Sequence, residues 1–334
     1  QAVDSGIFRI SPKARIGKNV TIYPFAYIED DVEIGDDCVI YPYVSVMKGT
    51  RIGRGNKIFQ NTVLGAEPQD FNFRGDDSVL VIGDYNCIRE NVVINRATFS
   101  DGKTVIGNHN FLMEGVHVSH DTKISDNCVF GYGTKIAGDC EIENDVIFSS
   151  NVIANAGVRV GRGSMIQGGS RLSRDVPPYI IAGNNPVKYG GINATILTNH
   201  NVTQKVQAHI ANAYRLIFHG QTSVFDAVIQ VKQQVPDGPE VRHIIEFMNG
   251  TKLGIISKSD IVLSTYNSYG ATATSRRTVL FDSPDMKNIL RGLMSCHASA
   301  ALHKDGLVCV RMAAYAYESV YLCVQDGKIF LQIK

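Results

Sequence analysis

Two imidazoles and a carboxylate stand close together in this chain, at His117, His120 and Asp121. Histidine is the side chain whose ordinary titration range brackets neutral pH, so it can take up and return a proton there. A carboxylate beside it can fix the ring and stabilise the imidazolium that forms. A hydroxyl is a weak nucleophile near neutrality, and a base that removes its proton contributes roughly 10²–10⁴-fold. Residue type and spacing thus point to general-base activation of a hydroxyl, provided that something holds the ring still and exposed.

The surrounding sequence specifies that support. From Ile10 onward every sixth residue is aliphatic: Ile10, Ile16, Ile22, Ile28, Ile34, Ile40, Val46, Ile52, Ile58 and Leu64, then Ile82, Ile88 and Ile94, then Ile106 through Leu172. The residue two places earlier is usually small or β-branched, as at Ala26, Val32, Cys38, Val116, Thr122 and Cys128. An α-helix gives a 3.6 period and a plain strand a period of two, so neither explains a strict six. A six-residue beat is the signature of a hexapeptide β-helix, in which a short strand and a turn make one flat side of a prism. Three sides close a coil, and roughly eight coils stack at about 4.8 Å each. Both apolar positions point inward by strand alternation. His117 lies between inward Val116 and Val118 and so faces out; His120 falls at a corner. Gly17, Gly35, Gly53, Gly83 and Gly107 follow the aliphatic position, which suits a tight corner.

The beat spans residues 1–195, with excursions at residues 66–81 and 97–103 that return in register. Loops that leave a rigid scaffold and return are where function concentrates. Pro177-Pro178 is expected to stop the ladder. Residues 196–256 change to a helical period and predict an α-helical cap. Residues 257–276, rich in Ser, Thr, Gly and Asn, read as a linker. Residues 277–334 predict a small α+β module, with strands at 277–281, 307–312, 317–324 and 328–333, a helix at 286–302 and a hairpin at Asp326-Gly327. The fold class is mainly β.

The 334 residues carry a formal net charge of +1, so no global field draws in nucleic acid. No apolar run is long enough for a membrane span, and the start shows no secretory signal. Of seven cysteines, Cys38, Cys128 and Cys140 take the small inward slot and predict buried thiols. No cysteine spacing suggests a metal. A reducing cytoplasm is the expected location.

Several motifs are more specific than the hexad: Gln69-Asp70 in the first excursion, Ile88-Arg89-Glu90, Leu112-Met113 through His117-Val118-Ser119-His120-Asp121, Asp175-Val176-Pro177-Pro178-Tyr179, Asn193 after Gly190-Gly191, and Asn212-Ala213-Tyr214-Arg215. Through these, residues 1–255 resemble the left-handed β-helix acyltransferases. Within them they resemble the acyl-carrier-protein–UDP-N-acetylglucosamine O-acyltransferases that begin lipid A synthesis. Left-handed winding is what the resemblance implies, against the usual right-handed crossover rule. It further implies that His120, supported by Asp121, deprotonates the glucosamine 3-hydroxyl. The oxygen would then attack the phosphopantetheine thioester of a 3-hydroxyacyl carrier protein, with no bound cofactor.

Gly138 matches the glycine whose N–H stabilises the oxyanion. Gln69, Asp70, His117, Asn155 and Asn193 match positions that line the substrate cleft. Gly168 falls where the family sets acyl length, with Met165 able to shorten the chain again. Arg159, Arg162, Arg171 and Arg174 would dock the acidic carrier, chiefly by raising the association rate. A homotrimer with clefts between neighbouring copies is implied as well. The chain departs from the family at Asn72 (usually Lys), Asp139 (His), Asn155-Ala156 (His-Gln), Thr195 (Glu) and Asn199 (Arg). Each departure removes a charge or ring that would touch the nucleotide or phosphate. Two alternatives remain: an N-acyltransferase for another amino-sugar nucleotide, and a non-catalytic β-helix assembly scaffold.

Overall fold

The computed structural model describes residues 9–220 and 222–257, and beyond them the backbone of five strands. Most hexads become a two-residue strand followed by a turn, and the strands beside the excursions reach three or four residues. Arg9–Ile10, Arg15–Ile16 and Thr21–Ile22 begin three sheets of nine, eight and ten strands. Successive strands of a sheet pair in parallel at an offset of one coil, as Tyr27↔Ser45 and Ile28↔Val46 do. The sheets are the three sides of a left-handed parallel β-helix.

The aliphatic beat lies inside. Ile28, Ile40, Ile58, Leu64, Ile88, Leu112, Phe130 and Phe148 are all buried. The first coil has no neighbour beneath it among the described residues, and its Ile16 stays 37% exposed. Cys128 and Cys140 fill inward slots, where burial pushes both thiols up to about 12. The corner glycines serve close approach and do not need positive φ. A Cβ on Gly35 would stand 2.6 Å from the carbonyl carbon of Gly53 in the next coil. The left-handed backbone falls two residues further on, at Asp37, Asn127 and Asp145 among others, as suits Asn and Asp.

Not every inward slot is apolar. Asn56, Asn86 and Asn110 stack at one corner, all buried. Asn86 Nδ2 donates to Asn56 Oδ1 (3.0 Å) and to the Gly107 carbonyl (2.9 Å). Its Oδ1 accepts from the Asn110 backbone N–H (2.8 Å). This column satisfies backbone groups that the aliphatic interior would strand.

The prolines do not end the ladder. Ile180–Gly183 adds one more parallel strand against Met165–Ile166, and Lys188–Ile192 folds back antiparallel on it. Pro177 and Pro178 lie before that strand, so they cost it no donor. Four helices follow: α1 (Ala194–Asn199), α2 (Gln204–His219), α3 (Val224–Gln234) and α4 (Pro239–Asn249). Their buried residues include Ile210, Leu216, Val231, Ile244 and Phe247. The Arg159 guanidinium stacks on the Phe247 ring at 4.4 Å, and the Tyr214 hydroxyl donates to the Pro178 carbonyl at 2.5 Å, so the helices pack on the coil.

Residues 263–334 form a separate unit. Its strands Arg277–Thr278, Lys328–Ile333, Glu318–Gln325, Val308–Tyr315 and Ala301–Leu302 make an antiparallel sheet in that order. The strand at Ala301–Leu302 overturns the end of the helix expected at 286–302. The linker at 257–276 and the rest of that helix lie, Ser257 aside, outside the described residues.

Replacing Asn86 by Ala orphans the Asn110 N–H and the Gly107 carbonyl in the interior. The expected loss is on the order of 2–4 kcal/mol, read by chemical denaturation, and a change below about 0.5 kcal/mol would show the column to be dispensable.

Candidate active site

Both excursions leave the same edge of the prism. One joins Val63–Ala66 to Val79–Ile82, the next joins Val93–Asn95 to Lys103–Ile106, and each crosses from the first sheet to the second. The following turn at that edge, between His117–Val118 and Lys123–Ile124, carries His120 and Asp121. Gly138 occupies the equivalent turn of the coil after that.

The His120 ring lies over Gly138. A Cβ added to Gly138 would meet His120 Cε1 at 2.5 Å and Nε2 at 2.7 Å, so only glycine leaves the imidazole this position. Gly138 is buried, and its N–H donates to no acceptor among the described residues. His120 Nδ1 is 2.9 Å from Asp121 Oδ2, and the side chains keep 15% and 20% of their exposure. Asp121 Oδ2 also accepts the Thr98 backbone N–H (3.1 Å), while the Asp121 N–H donates to Thr104 Oγ1 (2.8 Å). Gly102 leaves room for Asp121, whose Oδ1 would lie 2.7 Å from a Cβ there.

Thr98 ties the two excursions to the ring. Its hydroxyl donates to Asp70 Oδ2 (3.0 Å), and its Oγ1 is 3.1 Å from His120 Nδ1. With that proton directed at the Asp70 carboxylate, Nδ1–H is the donor to both Asp121 and Thr98. In the neutral ring Nε2 is then the basic atom, and it has no protein partner among the described residues. Asp70 is held below the ordinary carboxylate range, chiefly by the Asn72 backbone N–H, and also by the Thr98 hydroxyl and the nearby His120.

Arg96 anchors the first excursion. It is 2% exposed, donates to the Gly65 carbonyl at 3.2 Å, lies 5.2 Å from the Phe73 ring and pairs with Glu67 at 3.6 Å. Arg96 and Thr98 were not singled out from the sequence. The available signal was register: Leu64 and Ile94 begin excursions on the same side, so the residues after Ile94 must abut both loops.

The other expected residues scatter. Gln69 is exposed beside Asp70. Asn72 turns its amide to Asp70 Oδ1 (3.2 Å). His117 sits on the first sheet between Val93 and Lys135; burial, then Lys135, hold its imidazole below the usual range. Exposed Asp139 gives its N–H to the His120 carbonyl (3.1 Å). Asn155 lies at the same edge one coil on and accepts from Arg171 Nε (3.4 Å).

Asn193 is elsewhere. It caps α1 and donates to the Gly163 carbonyl (3.0 Å), leaving it 4% exposed. Gly168 and Met165 belong to the third side of the prism, where a Cβ on Gly168 would come within 3.1 Å of the Ser150 carbonyl oxygen. All four arginines have partners: Arg159 with Glu141 and Phe247, Arg162 with Asp145, Arg171 with Asn155, and Arg174 with the Leu253 carbonyl. Among the described residues no cluster of three metal-ligating side chains occurs, and no helix is long and apolar enough to cross a membrane.

Comparison with known proteins gives consistent matches. Residues 13–48 and 103–138 match the bacterial transferase hexapeptide family. Residues 175–256 match the second domain of UDP-N-acetylglucosamine O-acyltransferases. The chain is 41% identical over 248 residues to the acyl-[acyl-carrier-protein]–UDP-N-acetylglucosamine O-acyltransferase of Chlamydia abortus, covering 74% of this chain and 88% of the relative. It is 36% identical to the protein of that name from Syntrophobacter fumaroxidans, covering 74% and 96%. A solved UDP-N-acetylglucosamine acyltransferase from Bacteroides fragilis superposes with a TM-score of 0.74 at 46% identity, covering 76% of this chain and all of that one.

Gly138→Ala sets a methyl group against the His120 ring, the movable partner. Displacement of the ring is expected, read as a shift of the His120 imidazole NMR resonances, with thermal stability changed by no more than a few degrees. Unmoved resonances would contradict the packing of ring on glycine.

Proposed function

Because the chain belongs to the acyl-[acyl-carrier-protein]–UDP-N-acetylglucosamine O-acyltransferase family, we propose that it moves a 3-hydroxyacyl group from the carrier's phosphopantetheine thioester to the sugar 3-hydroxyl, the first step of lipid A synthesis, with His120 as the general base. The observation that carries this reading is the imidazole fixed through Nδ1 by Asp121, with Nε2 and the N–H of the glycine beneath it both without a partner among the described residues.

His120 Nε2 takes the hydroxyl proton as the sugar oxygen attacks the thioester carbonyl. Asp121 stabilises the resulting imidazolium without itself being protonated. The oxyanion of the tetrahedral intermediate is accepted by the Gly138 N–H, a donor that needs no rearrangement when charge develops. Collapse expels the phosphopantetheine thiolate, which recovers the proton from His120.

Asp70, held ionised, and the exposed Gln69 offer acceptors and donors for sugar hydroxyls. His117 and Asn155 line the same cleft. Asn193 acts through the shape of α1, which carries Thr195 and Asn199. Gly168, where a side chain would crowd the Ser150 carbonyl, is the position assigned to bounding the acyl tail, with Met165 on the preceding strand. Carrier docking falls most on Arg171 and Arg174, which are exposed, since Arg159 and Arg162 also brace the coil and its helices.

The chain works as a homotrimer in the cytoplasm. Phe71, beside Asp70, is 98% exposed, and Phe99, beside Thr98, is 52% exposed. Aromatic side chains this bare at a polar cluster suit a surface covered by a second copy. Free, buried Cys38, Cys128 and Cys140 fit a reducing compartment.

With 3-hydroxyacyl carrier proteins of graded length and UDP-N-acetylglucosamine, His120→Ala is expected to lower turnover by at least about 100-fold. Equal turnover in wild type and variant would remove His120 from the mechanism. Sedimentation is expected to give a trimer, and Phe71→Ser to weaken it; a stable wild-type monomer would dissolve the shared cleft.

A further inference from the structure

We propose that Thr98 is a positioning residue for the reaction: its hydroxyl links Asp70 to His120, setting the tautomer and the basicity of the ring. The inference rests on His120 being the base.

Three groups on separate pieces of chain meet at this hydroxyl. Asp70 comes from the first excursion, Thr98 from the second, and His120 from the coil edge beyond both. The hydroxyl has one proton, and at 3.0 Å it goes to Asp70 Oδ2. Its oxygen is then a polarised acceptor toward Nδ1 at 3.1 Å. The Thr98 backbone N–H meanwhile holds Asp121 Oδ2 at 3.1 Å, the oxygen that also receives Nδ1. One residue thereby fixes both acceptors of the Nδ1 proton. An acceptor reinforced by an ionised Asp70 favours the imidazolium over the neutral ring.

The titratable groups shown facing the ring are Asp121 from its own turn and Asp70 from the first excursion. Gly138 of the next coil brings none, and Asp139 contacts His120 only through its backbone N–H. Lys103 and Asp101, near the root of the second excursion, are exposed and form no hydrogen bond or ion pair with it among the described residues.

The sign of the effect follows. Loss of the Thr98 acceptor removes a partner of the charged ring's Nδ1–H, so the acidic limb of kcat/KM is expected to move to lower pH. Thr98 meets no substrate group in this scheme, so kcat should fall while KM holds.

The test compares Thr98→Val, which keeps the shape without the hydroxyl, with Thr98→Ser, which keeps the hydroxyl. Thr98→Val is expected to lower kcat by about 10-fold and to move the acidic limb down by up to about one pH unit. Thr98→Ser should restore both. An NMR titration of His120 in the same variants reads the shift without turnover, and Thr98→Ala replaces the valine should that variant fail to fold. A wild-type limb and kcat in Thr98→Val would overturn the proposal. So would equal loss in the valine and serine variants with the limb unmoved, which marks a purely structural role. Wild-type turnover in His120→Ala would instead bring down the base assignment, and this inference with it.

Discussion

The spacing between one coil and the next governs this molecule. Parallel pairing at each side holds successive coils at a strand spacing of about 4.8 Å, and the inward aliphatic residues close each coil around a largely apolar centre. A residue at an edge of the prism therefore has a fixed neighbour one coil away. His120 stands over Gly138 because both occupy the same turn of consecutive coils, and the missing side chain of one is the seat of the other. An aromatic ring ordinarily loses rotamer freedom at a cost when it is immobilised. Here the backbone of the next coil supplies the flat surface, and the Asp121 carboxylate with the Thr98 hydroxyl completes the restraint.

The same rule explains how loops can be added without loss of order. An insertion at an edge interrupts one turn, and the ladder resumes because the next strand still meets its partner, as Leu80 meets Thr50 and Ile82 meets Ile52 beside the first excursion. Two insertions on consecutive coils at one edge necessarily stack. Their contacts are polar where they face the third turn (Asp70, Thr98) and cationic–aromatic where they face each other (Arg96, Phe73). A buried guanidinium is costly unless most of its donors are met. Arg96 meets a carbonyl, a carboxylate and a ring face, and only its Nε lacks a partner among the described residues. The loop that carries Asp70 is thus anchored by a residue that does no chemistry.

The coil was legible because one physical demand, an apolar residue pointing inward on each side, repeats without a change of period. The Asn56–Asn86–Asn110 column was not, since asparagine satisfies the same slot by hydrogen bonding and leaves no hydrophobic signal. The corner glycines admit the neighbouring coil, while the left-handed residues are mostly Asn, Asp and other glycines further along. At the site, His120 and Asp121 are adjacent in sequence and so could be read together. Thr98 could not, because its importance arises only where two loops of different length end beside a third turn. Arg159 and Arg162 read as surface charge, and the ring and carboxylate that occupy them come from elements far along the chain or a coil away.

The departures from the family pattern acquire a physical meaning in this setting. Asn72 stands where a lysine is usual, and it gives both its backbone and its side-chain N–H to Asp70 Oδ1. A long cation would reach outward to a phosphate; the short amide instead turns inward and steadies the carboxylate that Thr98 also engages. Asp139, in place of a histidine, contributes a backbone bond to the His120 carbonyl and keeps its side chain exposed. Neither change disturbs Asp70, His120, Asp121 or Gly138. In the proposed mechanism, proton transfer depends on contacts shorter than about 3.2 Å within one edge of the prism, whereas the nucleotide would be met by side chains spread over an excursion and α1. The first is fixed by the stacking of coils, and the second can be rebuilt one side chain at a time without moving the ring.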